Sequence, residues 1–248
     1  MYLTIRGLVL RVRDYNDNDA LLTLLTPDHG RLTVKARGLR RKNSPLVAPC
    51  QLLALGEYTL FEYRGMYTIN EAHSVELFQG LRRDLLKLSL GTYFAQVAEV
   101  IAQEDIPSPE LLSLVLNCLF ALSSLNASEN QVKAAFELRC ACLAGYMPDL
   151  YACHHCGNTV PDRFDVSAGA VECRNCRNPE SSGLRMPLMP GVLDAMRYLV
   201  SCDPKRILGF ESSLETLEQL SQISETYLTT QLERGFPTLD FYKSLLIP

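Results

Sequence analysis

The sequence predicts an α+β protein of more than one domain, with a small N-terminal β-barrel or sandwich followed by an α-helical body that carries a four-cysteine knuckle as an insertion. Three observations carry that expectation. Apolar residues recur with a period of two as far as Leu77, the period becomes helical from about Gly80, and two Cys-x2-Cys pairs stand sixteen residues apart. The expected boundaries are 1–79 for the β-domain, 80–150 and 184–248 for the two parts of the helical domain, and 151–183 for the knuckle. At 248 residues, 47% hydrophobic and 21% charged, the chain is long enough to bury a real core and ordinary in composition for a globular protein.

The first strand is expected over residues 3 to 13, with Leu8, Leu10 and Val12 pointing one way and Arg11 and Arg13 the other. Asp14 to Asp19 is acidic enough to suggest a calcium loop. It lacks the EF-hand Gly at position six and Glu at position twelve, where Asp19 and Leu25 stand, so it reads as a turn. Ala20 to Thr26 is the second strand, Pro27 to Gly30 a tight turn, and Arg31 to Gly38 the third strand. Arg40 to Pro49, with charges, Asn, Ser and two prolines, is expected to be a mobile loop. Gln51 to Arg64 and Met66 to Leu77 complete a five-strand pattern, with Arg64-Gly65 at the hairpin tip.

Gly30 to Lys42 is the stretch on which a function can rest. Arg31, Thr33, Lys35 and Arg37 alternate with Leu32, Val34 and Ala36, so a strand here has one cationic and one apolar face. The row continues into Arg40, Arg41 and Lys42, with Arg11 and Arg13 on the first strand's outer face. Residues 1–45 hold nine Lys/Arg against four Asp/Glu, a charge of plus 5. Of the totals of 24 and 28, the rest of the chain keeps 15 and 24, a charge of minus 9. A basic head on an acidic body suits a polyanion bound at the head. The plain alternative is a solvated outer face of a half-buried strand.

From Arg82 to Glu104 the residues Leu85, Leu86, Leu90, Phe94, Val97, Val100 and Ile101 recur at helical spacing. Ser108-Pro109 opens a second helix running to about Ser124. Ser128 with Gln131 reads as a capping box for a third helix that stops at Gly145. After the knuckle, helical pattern resumes at Met189 to Ser201. A longer helix follows, with Ser212 and Glu215 as its capping box and a stripe of Leu217, Leu220, Ile223, Tyr227 and Leu228. The aromatic tail Phe236 to Tyr242 is expected to fold back on the helices.

Cys153-x2-Cys156 and Cys173-x2-Cys176 have the spacing of two knuckles that together offer four thiolates to a tetrahedral zinc ion. Arg174 and Arg177 would offset part of the charge of such a centre, and Gly157 leaves the turn unhindered. A shell of four cysteines leaves no place for water or for His154 and His155, so the ion would be structural. Paired redox thiols are the alternative. The other five cysteines have no partner spacing and read as small buried hydrophobes.

No phosphate loop, dinucleotide glycine motif, H-E-x-x-H or G-x-S-x-G occurs, and only four histidines are present, so catalysis is not expected. The N-terminal residues lack the pattern of a signal peptide, and no stretch approaches the roughly 18 apolar residues of a membrane span. A cytosolic location and no membrane partner are therefore expected.

Gly7-Leu-Val-Leu-Arg-Val-Arg-Asp-Tyr15, the Leu24-Leu-Thr-Pro-x-x-Gly-Arg-Leu32 strand pair, the Ala36-Arg-Gly-Leu-Arg-Arg41 loop and the helix ending at Gly145 before the knuckle together resemble the RecO family of bacterial recombination mediators. The resemblance runs along essentially the whole chain. It implies an N-terminal OB-fold barrel, a helical domain with a structural zinc knuckle, and a cytoplasmic, nucleoid-associated role in DNA repair without ATPase activity. It also implies binding of single- and double-stranded DNA, annealing of strands coated by single-strand-binding protein, and loading of the RecA recombinase together with RecR. On the same resemblance Arg11, Arg13, Arg31, Lys35, Arg37, Arg40, Arg41 and Lys42 belong to the DNA surface, and the acidic, hydrophobic tail of single-strand-binding protein docks on the helical body. Tyr58, Phe61, Tyr63 and Tyr67 either stack bases or fill the barrel. Two rival readings stay open: a zinc-ribbon RNA-binding or transcription factor, and a metal-dependent nuclease using Asp14, Asp17 and Asp19.

Overall fold

A computed structural model describes residues 2–125, 127–176 and 183–246. Its residues fall into two compact units, 1–126 with 236–248, and 127–235. These units cross the expected segment boundaries, because the helices before residue 126 and the tail beyond 235 group with the barrel.

In the first unit, β1 (Tyr2–Tyr15), β2 (Asp19–Thr26), β3 (Gly30–Ala36), β4 (Leu55–Tyr63) and β5 (Met66–Glu76) close into a barrel of order β1-β2-β3-β5-β4. All pairings are antiparallel except a short parallel one, Val34 with Tyr67 and Lys35 with Thr68, which completes the ring. This is an OB-like barrel, and closure removes the free sheet edges. The interior is filled by alternating residues, among them Val9, Leu22, Leu24, Leu32, Val34, Tyr58, Leu60 and Ile69. Tyr58 is wholly buried and donates its hydroxyl to Pro49 O at 2.6 Å, which satisfies its one polar atom.

The first strand departs from simple alternation. An extra residue between Val9 and Arg11 makes a bulge, so Val9 enters the barrel core while Leu8 and Leu10 are buried outside it, and Val12 is exposed. The cover is α2 (Leu85–Ile101), which lies against β1 with α1 (Gln79–Arg82) and α3 (Pro109–Ser124) beside it. Asp84 caps α2 by accepting from the backbone N–H groups of Leu86 and Lys87. Gly30 is required where it stands: its φ is +57°, and a Cβ there would come within 2.2 Å of Ile106 O. The tail is α7 (Pro237–Ser244), whose Phe236 meets Tyr93 of α2 edge-on at 5.6 Å.

The segment 38–53 is not the loose loop its composition suggests. Arg40 N–H donates to Asn18 O, Gly38 N–H to Asp19 Oδ1 and Cys50 N–H to Leu46 O, while Leu39 and Cys50 belong to the barrel core. Apolar anchors four to seven residues apart hold its turns in place.

In the second unit, α4 (Glu129–Leu143), α5 (Pro190–Ser201) and α6 (Leu214–Gln231) pack together beside a three-stranded sheet of β6 (Arg163–Asp165), β7 (Ala170–Glu172) and β8 (Arg185–Pro187), in the order β7-β6-β8. The expected stripe on α6 is buried in full. Neither expected capping box forms. Ser128 makes no cap bond and Gln131 instead donates to Leu208 O and Phe210 O; α6 is capped by Ser213, one residue later than expected. The knuckle sheet has no core of its own: buried Phe164 sits edge-on against Tyr227 of α6, with ring centroids 5.2 Å apart. Lys133 of α4 is buried between Glu137 and Glu225, at 3.0 and 2.8 Å, and Ser224 donates to Glu137, so charges from two helices share one satisfied network.

Candidate nucleic-acid interface and metal centre

Paired residues of antiparallel strands share a face, so the register decides which cations sit together. Arg13 of β1 lies opposite Leu21 of β2, and Leu21 opposite Lys35 of β3. Arg11, by contrast, is in the row of Thr23 and Thr33. The eight expected cations therefore divide. Arg11 meets Glu99 of α2 at 2.8 Å, and Arg31 donates to Glu99 O at 3.0 Å and pairs with Glu104 at 3.3 Å, so this pair faces the C-terminal end of α2. Lys35 pairs with Asp19 at 2.8 Å and Arg40 with Asp14 at 3.2 Å. The β1–β2 hairpin thus brings the acids of its turn, Asp14 and Asp19, beside the basic end of β3. Arg13, Arg37, Arg41 and Lys42 form no ion pair among the described residues, although the Arg37 charge is near enough to Asp19 to help hold its carboxyl down.

An open groove of about 480 Å³ runs along this part of the barrel, lined by Lys35 and Arg37 together with Tyr2, Tyr15, Phe61 and Tyr63. It continues past Arg37 and Asn70 into a second hollow of about 360 Å³ bordered by Arg41 and Lys42. Tyr2 and Phe61 are register partners with rings 5.3 Å apart, and the Lys35 ammonium lies 4.8 Å from the centre of the Tyr15 ring. Tyr2, Tyr15, Phe61 and Tyr63 are all exposed. Of the four aromatics singled out in the sequence, Tyr58 is sealed in the core and Tyr67 packs against it, whereas Phe61 and Tyr63 face the groove. Sequence reasoning missed Tyr2 and Tyr15. Strand parity held the signal for Tyr15, which shares the odd positions of Arg11 and Arg13, whereas Tyr2 lies across the bulge, where parity is reversed.

Lys35 has an electrostatic consequence for its partner. The hydrogen bonds from Lys35 and from Gly38 N–H hold the Asp19 carboxyl below its usual range. Asp19 is thus ionised and competes with any phosphate for Lys35.

Cys153, Cys156, Cys173 and Cys176 converge, their sulfur atoms all within 4.8 Å of one another and Cys156 Sγ 3.9 Å from Cys173 Sγ. The first knuckle turns by Gly157 N–H donating to Cys153 O, with Gly157 at φ +73°. A Cβ at Gly157 would meet nothing within 4 Å, so glycine serves the left-handed backbone rather than space. Cys173 N–H donates to Cys153 Sγ and Asn158 Nδ2 to Cys173 Sγ, both at 3.3 Å. Burial would raise the Cys153 thiol, but backbone donors at Cys156, His155 and Cys173 bring it down to about 6. The Cys176 thiol is pushed up to about 12, first by its hydrogen bond with Cys156. Cys153 thus ionises readily, while the Cys176 thiol is held protonated by its hydrogen bond to Cys156, by burial and by the charge of its neighbours. The cluster fits a four-sulfur metal site. The Arg174 side chain is exposed, while Arg177 lies outside the described residues. Among the described residues, no helix is long and apolar enough to cross a membrane.

Comparison with known proteins places both regions. The family profile described as recombination protein O N terminal matches residues 1–78, and that described as recombination protein O C terminal matches residues 82–240. A protein named DNA repair protein RecO from Acetivibrio thermocellus is 31% identical over 246 residues, covering 98% of this chain and 97% of that one. Proteins of the same name from Alkaliphilus metalliredigens and Symbiobacterium thermophilum are 27% and 28% identical, with 99% and 96% of this chain aligned to 100% and 96% of theirs.

Proposed function

The chain belongs to the recombination protein O family of DNA repair proteins, and on that premise we propose that it is a non-enzymatic mediator that binds DNA along the barrel groove, anneals complementary strands coated by single-strand-binding protein and, with RecR, helps load RecA. One observation carries the reading: Arg37 and Lys35 line the same groove as four exposed aromatic rings, and Arg41 and Lys42 border the hollow that continues it. Arg13, Arg37, Arg41 and Lys42 would hold phosphates, while Lys35 and Arg40 stay with Asp19 and Asp14. Tyr2, Tyr15, Phe61 and Tyr63 would take the π-faces of bases, which every base offers, so binding would be indifferent to sequence. Arg11 and Arg31 would serve the DNA surface only indirectly, by fixing the barrel against α2.

Annealing follows from the same chemistry. Two strands repel through their phosphates, and a cationic track that neutralises both lowers that barrier without reading either. No nucleophile or activated water is needed, which agrees with the absence of catalytic motifs from the sequence. Cys153, Cys156, Cys173 and Cys176 would hold a structural zinc ion that ties the two knuckles together and makes up for the sheet's lack of a core. The tail of single-strand-binding protein, acidic and hydrophobic, would bring the protein to coated strands.

The test mixes the purified protein with complementary oligonucleotides coated by single-strand-binding protein, and faster pairing than without it is expected. Pairing no faster than the uncatalysed rate removes the proposal. Replacing DNA by RNA at matched salt separates it from the RNA-binding alternative, for which RNA would bind at least as tightly.

A further inference from the structure

A second set of donor atoms stands beside the four thiols. His154 and His155, between the two cysteines of the first knuckle, place their Nε2 atoms 3.8 and 3.6 Å from Glu172 Oε2. The imidazole rings are 3.9 Å apart, and the three potential ligand atoms lie within 4.8 Å of one another. Glu172 closes β7 and is wholly buried. Its Oε1 faces Arg185 Nε at 2.8 Å, and Arg185 is in turn held by Asp165 at 3.1 Å. Neither carboxylate oxygen has a hydrogen-bond donor among the described residues; Oε1 has the Arg185 charge beside it, and Oε2 has no such cation as close.

A buried carboxylate oxygen without a donor is a costly arrangement and needs an explanation. Hydrogen bonds from the two histidines do not supply it, since charge-assisted bonds run at about 2.7–2.9 Å and these separations are 3.6 and 3.8 Å. They do suit a shared cation. Ligands on a tetrahedral ion with bonds of about 2.0 Å stand roughly 3.3 Å apart, and the two histidine nitrogens stand 3.8 and 3.6 Å from Glu172 Oε2, within a few tenths of an ångström of that spacing. We propose that His154, His155 and Glu172 form a second divalent-metal site, separate from the four-thiol site. Two imidazoles and one carboxylate favour a first-row ion such as Zn2+, Co2+ or Ni2+ over the all-oxygen shells of Mg2+ and Ca2+. Arg185 on the far oxygen orients the carboxylate, the arrangement expected of an outer partner. Both imidazoles are part exposed, with side chains 29% and 38% accessible. The ion therefore keeps at least one position open to water, unlike one enclosed by four sulfurs.

The site rests on neither the DNA reading nor the thiol reading, and cobalt distinguishes it from the latter. Equilibrium dialysis of the full chain against Co2+ is expected to give two ions per chain, only one of them with a sulfur-to-metal charge-transfer band. In His154→Gln and His155→Gln, each of which removes one exposed donor, the free Co2+ needed to half-fill the ion without the sulfur band should rise on the order of tenfold or more, with the sulfur band unchanged. One ion per chain, lacking the sulfur band and lost in the two variants, would support this site and remove the thiol site. A single ion with the sulfur band, or a second ion whose occupancy both variants leave unchanged, overturns the proposal.

Discussion

The division of the eight cations makes the salt dependence of DNA binding a quantitative test. Four of them carry acid partners, at 2.8 Å for Arg11, 3.3 Å for Arg31, 2.8 Å for Lys35 and 3.2 Å for Arg40. If the four without partners, Arg13, Arg37, Arg41 and Lys42, each neutralise one phosphate of a single strand, log affinity falls against log salt with a slope of about −2.8, and fourfold more salt weakens binding about 50-fold. The double variant Arg37→Ala/Arg41→Ala should bring the slope to about −1.4 and the loss over the same range to about 7-fold. Arg11→Ala should leave the slope unchanged, since its guanidinium is engaged with Glu99. Fluorescence anisotropy of a labelled oligothymidine across a salt series measures all three. A wild-type slope near −5.6, the value for about eight contacts, would show that every ion pair yields to phosphate. An unchanged slope in the double variant would refute the placement of DNA in this groove.

The aromatic wall gives a second prediction: Phe61→Ala and Tyr63→Ala should each cost roughly 1–3 kcal/mol of affinity if each stacks one base, with the salt slope preserved in the same anisotropy series. Tyr58→Phe should instead lower stability by roughly 1–3 kcal/mol, because Pro49 O loses its buried donor, and leave DNA affinity alone; thermal unfolding reads this. Asp19 has a carboxyl pKa lowered in the fold, first by Lys35, so its contribution is fully present above the unfolded value of about 3.9 and is lost as pH falls through the lowered one. Asp19→Asn should therefore flatten the acid limb of a plot of unfolding midpoint against pH. Removing zinc with a chelator, or Cys153→Ser, should destabilise the unit 127–235 while the barrel keeps its DNA affinity, read by proteolysis and anisotropy on the same samples.

What was legible in the chain was local and periodic. Alternation placed Leu32, Val34 and Ala36 on the apolar face of β3, helical spacing placed Leu217 to Leu228 on the buried face of α6, and the Cys-x2-Cys spacing brought together the four thiols that do converge. Distance along the chain hid the rest. Glu99 lies far from Arg11, and Asp19 reaches Lys35 only through the register of β2 on β3, so a row of charges that looked uniform has two kinds of member. The bulge near Leu10 escaped because one extra residue reverses parity without any mark in composition. Ser128 and Gln131 had a capping-box pattern, but carbonyls at Leu208 and Phe210 competed for the amide, a partner no local window contains. The small sheet was hidden by its three-residue strands, too short to show a period.

The position of α7 bears on how the chain is made. Phe236, Leu239 and Tyr242 are buried in the first unit, against α2, yet they follow the whole of residues 127–235 in the chain. During synthesis the barrel and the first helices leave the ribosome with the apolar side of α2 around Tyr93 uncovered, and they stay so until the second unit has emerged. The newborn protein thus exposes a sticky helix face for the time needed to translate an entire unit. A chain cut short within residues 127–235 would leave that face of α2 open, whereas one translated through α7 covers it.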